Sequence, residues 1–158
     1  MTVAAPAGSP AMSHGLALFA RALRALDWIP YWLLAISLRV AVAEVFWSSA
    51  LTHVASWQTT LYQFANDYQV PLLPPTLAAY LAVAIEFAAP PLLVLGLATR
   101  LASLVLLGMI TVIEVFVYPQ AWPTHIQWAA MLLVLVARGP GSVSLDGLIR
   151  RQLLGRSQ

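Results

Sequence analysis

Apolar residues fall in four long blocks along this chain, separated by short polar or proline-rich breaks. A bilayer-spanning helix needs roughly 20 mostly apolar residues. The first block covers about Tyr31 to Leu51, the second about Thr76 to Leu97 and the third about Leu101 to Tyr118. The fourth, about Pro123 to Ala137, is short and must borrow length from its flanks. Between the first two blocks, SWQTTLYQFANDYQ places Trp57, Leu61, Phe64 and Tyr68 at helical spacing, and PLLPP then ends that helix. The pattern predicts an all-α, integral membrane four-helix bundle with a short amphipathic helix in the outer loop between spans one and two. That helix is either a lid over a site or a linker that buries its own aromatics.

The ends of the chain differ from the middle. Residues 1–15, MTVAAPAGSPAMSHG, are small and polar and predict a disordered N-terminus rather than a signal peptide. Residues 16–30 put Leu16, Phe19, Leu23 and Leu26 on one stripe, away from Arg21 and Arg24. This is either an amphipathic helix at the cytoplasmic membrane surface or an extension of the first span. The four-span domain is expected at 31–149, followed by a basic C-terminal tail at 150–158.

Composition agrees with the pattern. The chain is 61% hydrophobic and 9% charged, against about 25% charged in soluble domains. Lysine and cysteine are absent, so disulfides, thiolate metal sites and dithiol chemistry are excluded. The arginines are spread along the chain and do not suggest nucleic acid. They orient the bundle instead. Arg21 and Arg24 precede span one, Arg100 lies between spans two and three, and Arg138, Arg150, Arg151 and Arg156 follow span four. Both termini are therefore expected on the cytoplasmic side.

Arg39 falls inside span one and is not explained by topology. It joins Glu44, Glu86 and Glu114 as ionisable residues within spans, where each costs ~2.5–3.5 kcal/mol at a helix centre. Depth counted at ~1.5 Å per residue puts the glutamates in one layer, with Arg39 reaching up to it. Pro90 and Pro91 remove the donors for the carbonyls of Glu86 and Phe87, which adds backbone acceptors beside a carboxyl group. The expectation is that Arg39 pairs with Glu86 or Glu44 and that at least one other glutamate is protonated at neutral pH. The layer is either an ion-pair network that holds helices together or a ligand-binding or proton-handling site of Arg39, Glu44, Glu86, Glu114 and His125. His53 and His125 lie near the same outer face. They serve either a metal or haem, or hydrogen bonds to the outer loop and Glu114. No catalytic triad, phosphate loop or nucleotide fingerprint is present.

Three features in order resemble the DoxX family of small four-helix membrane proteins: Arg39 early in span one, Glu86 followed ten residues later by GLATR (Gly96 to Arg100), and RGPGSVSLDGLI (Arg138 to Ile149). The resemblance covers roughly residues 33–149. It implies a multi-pass protein of the bacterial inner membrane. The family's name comes from a subunit of a thiosulfate:quinone oxidoreductase, and some relatives are tied to oxidative-stress complexes. Tyr68–Pro75 and Phe116–His125 resemble stretches of a subgroup found near metal-stress genes. The expected role is an accessory subunit of a redox complex, with a quinone as non-covalent ligand, a redox or stress-response partner, and no catalysis by this chain alone. The alternatives are a non-enzymatic helper in metal or oxidative stress, or a small proton-coupled transporter acting as a homo-oligomer.

Overall fold

The computed structural model describes residues 16–21, 24, 28–68 and 70–155. All regular structure among them is helical. The chain divides into two units, Met1–Tyr31 and Trp32–Gln158. In the first, residues 16–21 are helical, with Leu16, Leu18 and Phe19 exposed. The expected disordered stretch 1–15 lies outside the described residues.

The second unit holds the apolar blocks. Helix α1 is Tyr31–Ala55 and α2, in the long connection, is Trp57–Gln63, continued by a π-helical turn over Phe64–Tyr68. Helix α3 is Pro75–Leu95 and α4 is Thr99–Val112, extended by a second π-helical turn over Ile113–Val117. Helix α5 is Trp122–Arg138 and α6 is Leu145–Gly155. The last helix therefore runs past residue 149, where a tail was expected to begin. Three segments are long and apolar enough to cross a membrane: Tyr31–Ala55, Pro75–Leu95 and Thr99–Val117. Helix α5 has 17 residues, about 25 Å of helix.

Cross-helix contacts fix the directions. Arg39 meets Leu93, Ser49 meets Glu86 and Trp57 meets Tyr80, so α1 and α3 run antiparallel. Arg100 meets Ala137 and Glu114 meets His125, so α4 and α5 do the same. The core draws on all four helices, with Val42, Ala43, Phe46, Ala89, Leu93, Ala102, Leu106, Ile110, Leu132 and Leu135 in one cluster. Large apolar side chains also cover the outside, among them Leu33, Leu81, Leu104 and Leu133. Water would penalise so much contiguous apolar surface, whereas hydrocarbon accepts it.

The α3–α4 connection shows why GLATR has its composition. Leu97 N–H donates to Leu92 carbonyl at 2.9 Å, the six-to-one bond of a left-handed helix terminus, with Gly96 at φ +68°. Space forbids a side chain there as well. A Cβ on Gly96 would sit 2.5 Å from Ser144 Cβ and 3.1 Å from Arg39 Cζ. Gly96→Ala is expected to cost about 1–3 kcal/mol through overpacking, measurable by thermal unfolding in detergent. Helix α3 itself continues through Pro90 and Pro91 to Leu95.

Candidate functional site

The ionisable residues separate into two places at opposite ends of the helices. At the end carrying Arg100 and Arg138, Arg39 is 4% exposed yet contacts no carboxylate. Its Nε donates to Leu93 carbonyl at 2.7 Å and its Nη2 to Val94 carbonyl at 2.5 Å. Its Nη1 donates to Pro140 and Val143 carbonyls at 3.0 and 2.9 Å. Leu93 and Val94 belong to the last turn of α3, whose carbonyls carry the negative end of the helix dipole; Leu93 carbonyl also accepts from Gly96 N–H at 3.0 Å. The guanidinium thus ties α1 to the end of α3 and to the loop after α5.

That loop returns the tie. Asp146 accepts from Ala98 N–H at 2.8 Å and Thr99 N–H at 3.0 Å, which caps α4 from a distant segment. The Asp146 N–H donates to Gly96 carbonyl, and Ser144 Oγ donates to Gly141 carbonyl while accepting from Gly147 N–H. Arg39, GLATR and the GPGSVSLD stretch therefore form one clasp.

The expected pairing of Arg39 with Glu86 or Glu44 is absent. Side chains on a helix tilt toward its N-terminus. Because α1 and α3 are antiparallel, Arg39 leans toward the arginine end and Glu86 toward the other. Counting rise per residue placed their backbones near one another but ignored this divergence. Glu44 is exposed and accepts only from Ser48 Oγ, one turn on, at 3.0 Å among the contacts seen.

The opposite end holds a cavity of about 420 Å³ lined by residues of α1, α3, α4, α5 and both π-helical turns. Its walls are largely apolar, including Leu81, Ile85, Val105, Met109 and Trp128. Glu86, 2% exposed, stands on the α3 wall. Its Oε1 accepts from Ser49 Oγ at 2.9 Å and its Oε2 lies 2.8 Å from His53 Nδ1. Phe64 packs edge-on to the His53 ring. A second histidine–carboxylate pair joins the second π-helical turn to α5: His125 Nδ1 is 2.6 Å from Glu114 Oε2, and the His125 ring lies against Trp128. His125 lines the cavity.

Two tyrosines complete the polar set. Tyr68 ends the first π-helical turn and Tyr118 follows the second. Their rings are 5.5 Å apart and their side chains are hydrogen-bonded. Burial pushes the Tyr68 pKa up, and the Tyr118 hydrogen bond and the carboxylates of Asp67 and Glu86 push the same way. Tyr68 therefore stays a neutral donor at physiological pH. Among the described residues no cluster of three or more His, Cys, Asp or Glu occurs, and each histidine has its Nδ1 directed at a carboxylate.

Of the five residues singled out in the sequence, Glu86 and His125 line this cavity, Glu114 supports His125, and Arg39 and Glu44 lie elsewhere. Ser49, Tyr68, Tyr118 and Trp128 were not anticipated as site residues. Neither was Gly108, which lines the cavity and has nothing within 4 Å of where a Cβ would stand. A glycine inside a helix costs about 1 kcal/mol relative to alanine, and here its effect is to leave the cavity open. A glycine in the middle of an apolar block was the available signal.

The chain is a small membrane protein of the DoxX family. The family model matches residues 33–119, which takes in α1 to the second π-helical turn and so both Arg39 and Glu86. The RGPGSVSLDGLI stretch lies beyond the matched residues, although its carbonyls complete the Arg39 clasp. No curated protein and no solved structure matches the chain.

Proposed function

We propose that the cavity between the two histidine–carboxylate pairs binds a quinone, and that the chain is the membrane subunit through which a redox partner reaches that quinone. The observation that carries this reading is the cavity's make-up. It is of small-ligand size, has apolar walls for a ring and tail, and has polar groups contributed by α1, α3, α5 and the residues around the π-helical turns. Quinone reduction consumes two protons with two electrons. Tyr68 donates to Tyr118, which leaves the Tyr118 hydroxyl suited to donate a hydrogen bond to a quinone oxygen. The Glu86–His53 and Glu114–His125 pairs each hold a proton between nitrogen and carboxylate and are suited to pass it on. In this reading a redox partner protein supplies the electrons. DoxX membership supports the reading through the family's link to quinone chemistry.

The accompanying topology has four spans, with α5 as the fourth. Trp122 and Arg138 at its ends mark the two interfaces, and the arginine end, with both termini, is cytoplasmic. The bacterial inner membrane is the setting. The cavity then opens in the outer half of the bilayer, beneath α2.

The test is a titration of the protein in nanodiscs with short-chain benzoquinone and naphthoquinone, read by tryptophan fluorescence. Quinones quench on contact, and Trp128 lines the cavity. Saturable quenching is expected, reduced in Trp128→Phe and lost in Gly108→Leu, which fills the cavity without touching its polar groups. Unsaturable quenching by both quinones, or a Gly108→Leu protein that binds normally, would turn the reading toward the helper in metal or oxidative stress. That alternative predicts a growth defect confined to metal or peroxide excess.

A further inference from the structure

We infer that the arginine end carries a second, separate binding site, for the phosphate headgroup of an anionic phospholipid. A groove of about 1050 Å³ opens there, lined by Arg100 at the start of α4, Arg138 at the end of α5, and Arg150 and Arg151 of α6. Its floor is the loop of Gly139, Pro140 and Gly141. One acid, Asp146, also lines it. That carboxylate accepts from the Ala98 and Thr99 amides and keeps its charge, but four guanidiniums against one carboxylate leave the lining net positive. All four arginines are solvent-exposed.

Two features separate this groove from scattered interfacial charge. First, its walls are fixed. The clasp of Arg39, Asp146 and Ser144 holds the floor, and Gly139 at φ +78° lets Arg100 close over it, where a Cβ would stand 3.3 Å from Arg100 Nε. Secondly, apolar surface adjoins the charge. Leu145, Leu148, Ile149 and Leu153 form one stripe along α6, spaced for a single helix face, and all are exposed, as is Leu101 in the groove wall. Guanidinium groups pair with phosphate oxygens in forked geometry, and the stripe gives the acyl chains an apolar path beside them. The headgroup of a phospholipid fits both halves; a free anion fits only the first. This inference depends on the membrane setting of the fold and not on the cavity at the other end.

The experiment is native mass spectrometry of the full chain from detergent, supplemented with phosphatidylglycerol or phosphatidylcholine. One phosphatidylglycerol per chain should be retained in preference to phosphatidylcholine. Each arginine in contact with the bound headgroup contributes about fivefold to its retention. The double variant Arg150→Gln/Arg151→Gln should therefore lower retention by roughly twenty-five-fold, while Arg21→Gln/Arg24→Gln, with the same loss of charge, should change it less than twofold. Should the first double variant fail to fold, Arg100→Gln should give a fivefold loss by itself. Equal retention of the two lipids, or equal loss in both double variants, would reduce the groove to general surface charge and overturn the proposal. Competition by inorganic phosphate at the lipid's own affinity, or tighter binding of an acidic peptide, would overturn the lipid as its ligand. Quinone quenching is untouched by any of these outcomes, so the two sites stand or fall separately.

Discussion

Arg39→Ala is expected to be the most damaging single substitution in the chain. It removes the donors of four hydrogen bonds and leaves the part-buried carbonyls of Val94, Pro140 and Val143 facing a void, while Leu93 carbonyl keeps only Gly96 N–H. An unsatisfied buried acceptor costs about 1–3 kcal/mol. Even with water reaching some of them, a loss of at least ~3 kcal/mol follows. In a chain of this size that lowers Tm by roughly 6–12 °C. Arg39→Lys should rescue little, because an ammonium presents three donors from one point and cannot span carbonyls contributed by two separate segments. Thermal unfolding in detergent, followed by circular dichroism, checks both variants. Quinone affinity, measured below the unfolding range, should be nearly unchanged in Arg39→Lys, since the clasp and the cavity lie at opposite ends.

This outcome separates what the sequence made legible from what it did not. The helical blocks were readable because hydrocarbon imposes length and composition on each span. The predicted Thr76–Leu97 and Pro123–Ala137 became Pro75–Leu95 and Trp122–Arg138. The first helix runs on to Ala55 because residues 52–55 contain no glycine or proline to stop it. The outer helix was readable from Trp57, Leu61, Phe64 and Tyr68, of which Phe64 is buried and the others pack around it.

The charged residues were only half legible. Their presence in the spans correctly marked positions needing polar company. Residue type and depth did not say which company. Arg39 satisfies itself on backbone carbonyls, and no side-chain motif announces a carbonyl cage. Glu44 shows that an acid in an apolar block can face outward, beside a serine one turn away. Glu114 sits in a π-helical turn, where one extra residue per turn rotates the helix face away from the regular count. Its pairing with His125 was nevertheless among the arrangements the sequence suggested. Depth counted by rise predicted one layer; Arg39 and Glu86 instead lie at opposite ends and Glu44 faces outward.

The second large effect is expected at Glu86. Glu86→Gln keeps the side chain's shape and a hydrogen-bonding role toward Ser49 and His53, so the helices should stay together, with Tm changed by no more than about 3 °C. It removes the carboxylate that would exchange a proton with a ligand. Hydrogen bonds to charged groups contribute about 1.5–3 kcal/mol, so quinone affinity should fall tenfold or more. His53→Ala should do the same by withdrawing the partner. If the cluster were only a helix tie, the effects would be reversed: a clear drop in Tm with binding unaltered.

Glu44 supplies the control that makes this decisive, being a carboxylate of α1 that sits outside the cavity. The most direct measurement is therefore the quinone dissociation constant of wild-type, Glu86→Gln and Glu44→Gln proteins in the same nanodiscs. The account predicts at least tenfold weaker binding for Glu86→Gln and an unchanged value for Glu44→Gln. Equal affinities in all three, or equal losses in both variants, would contradict it.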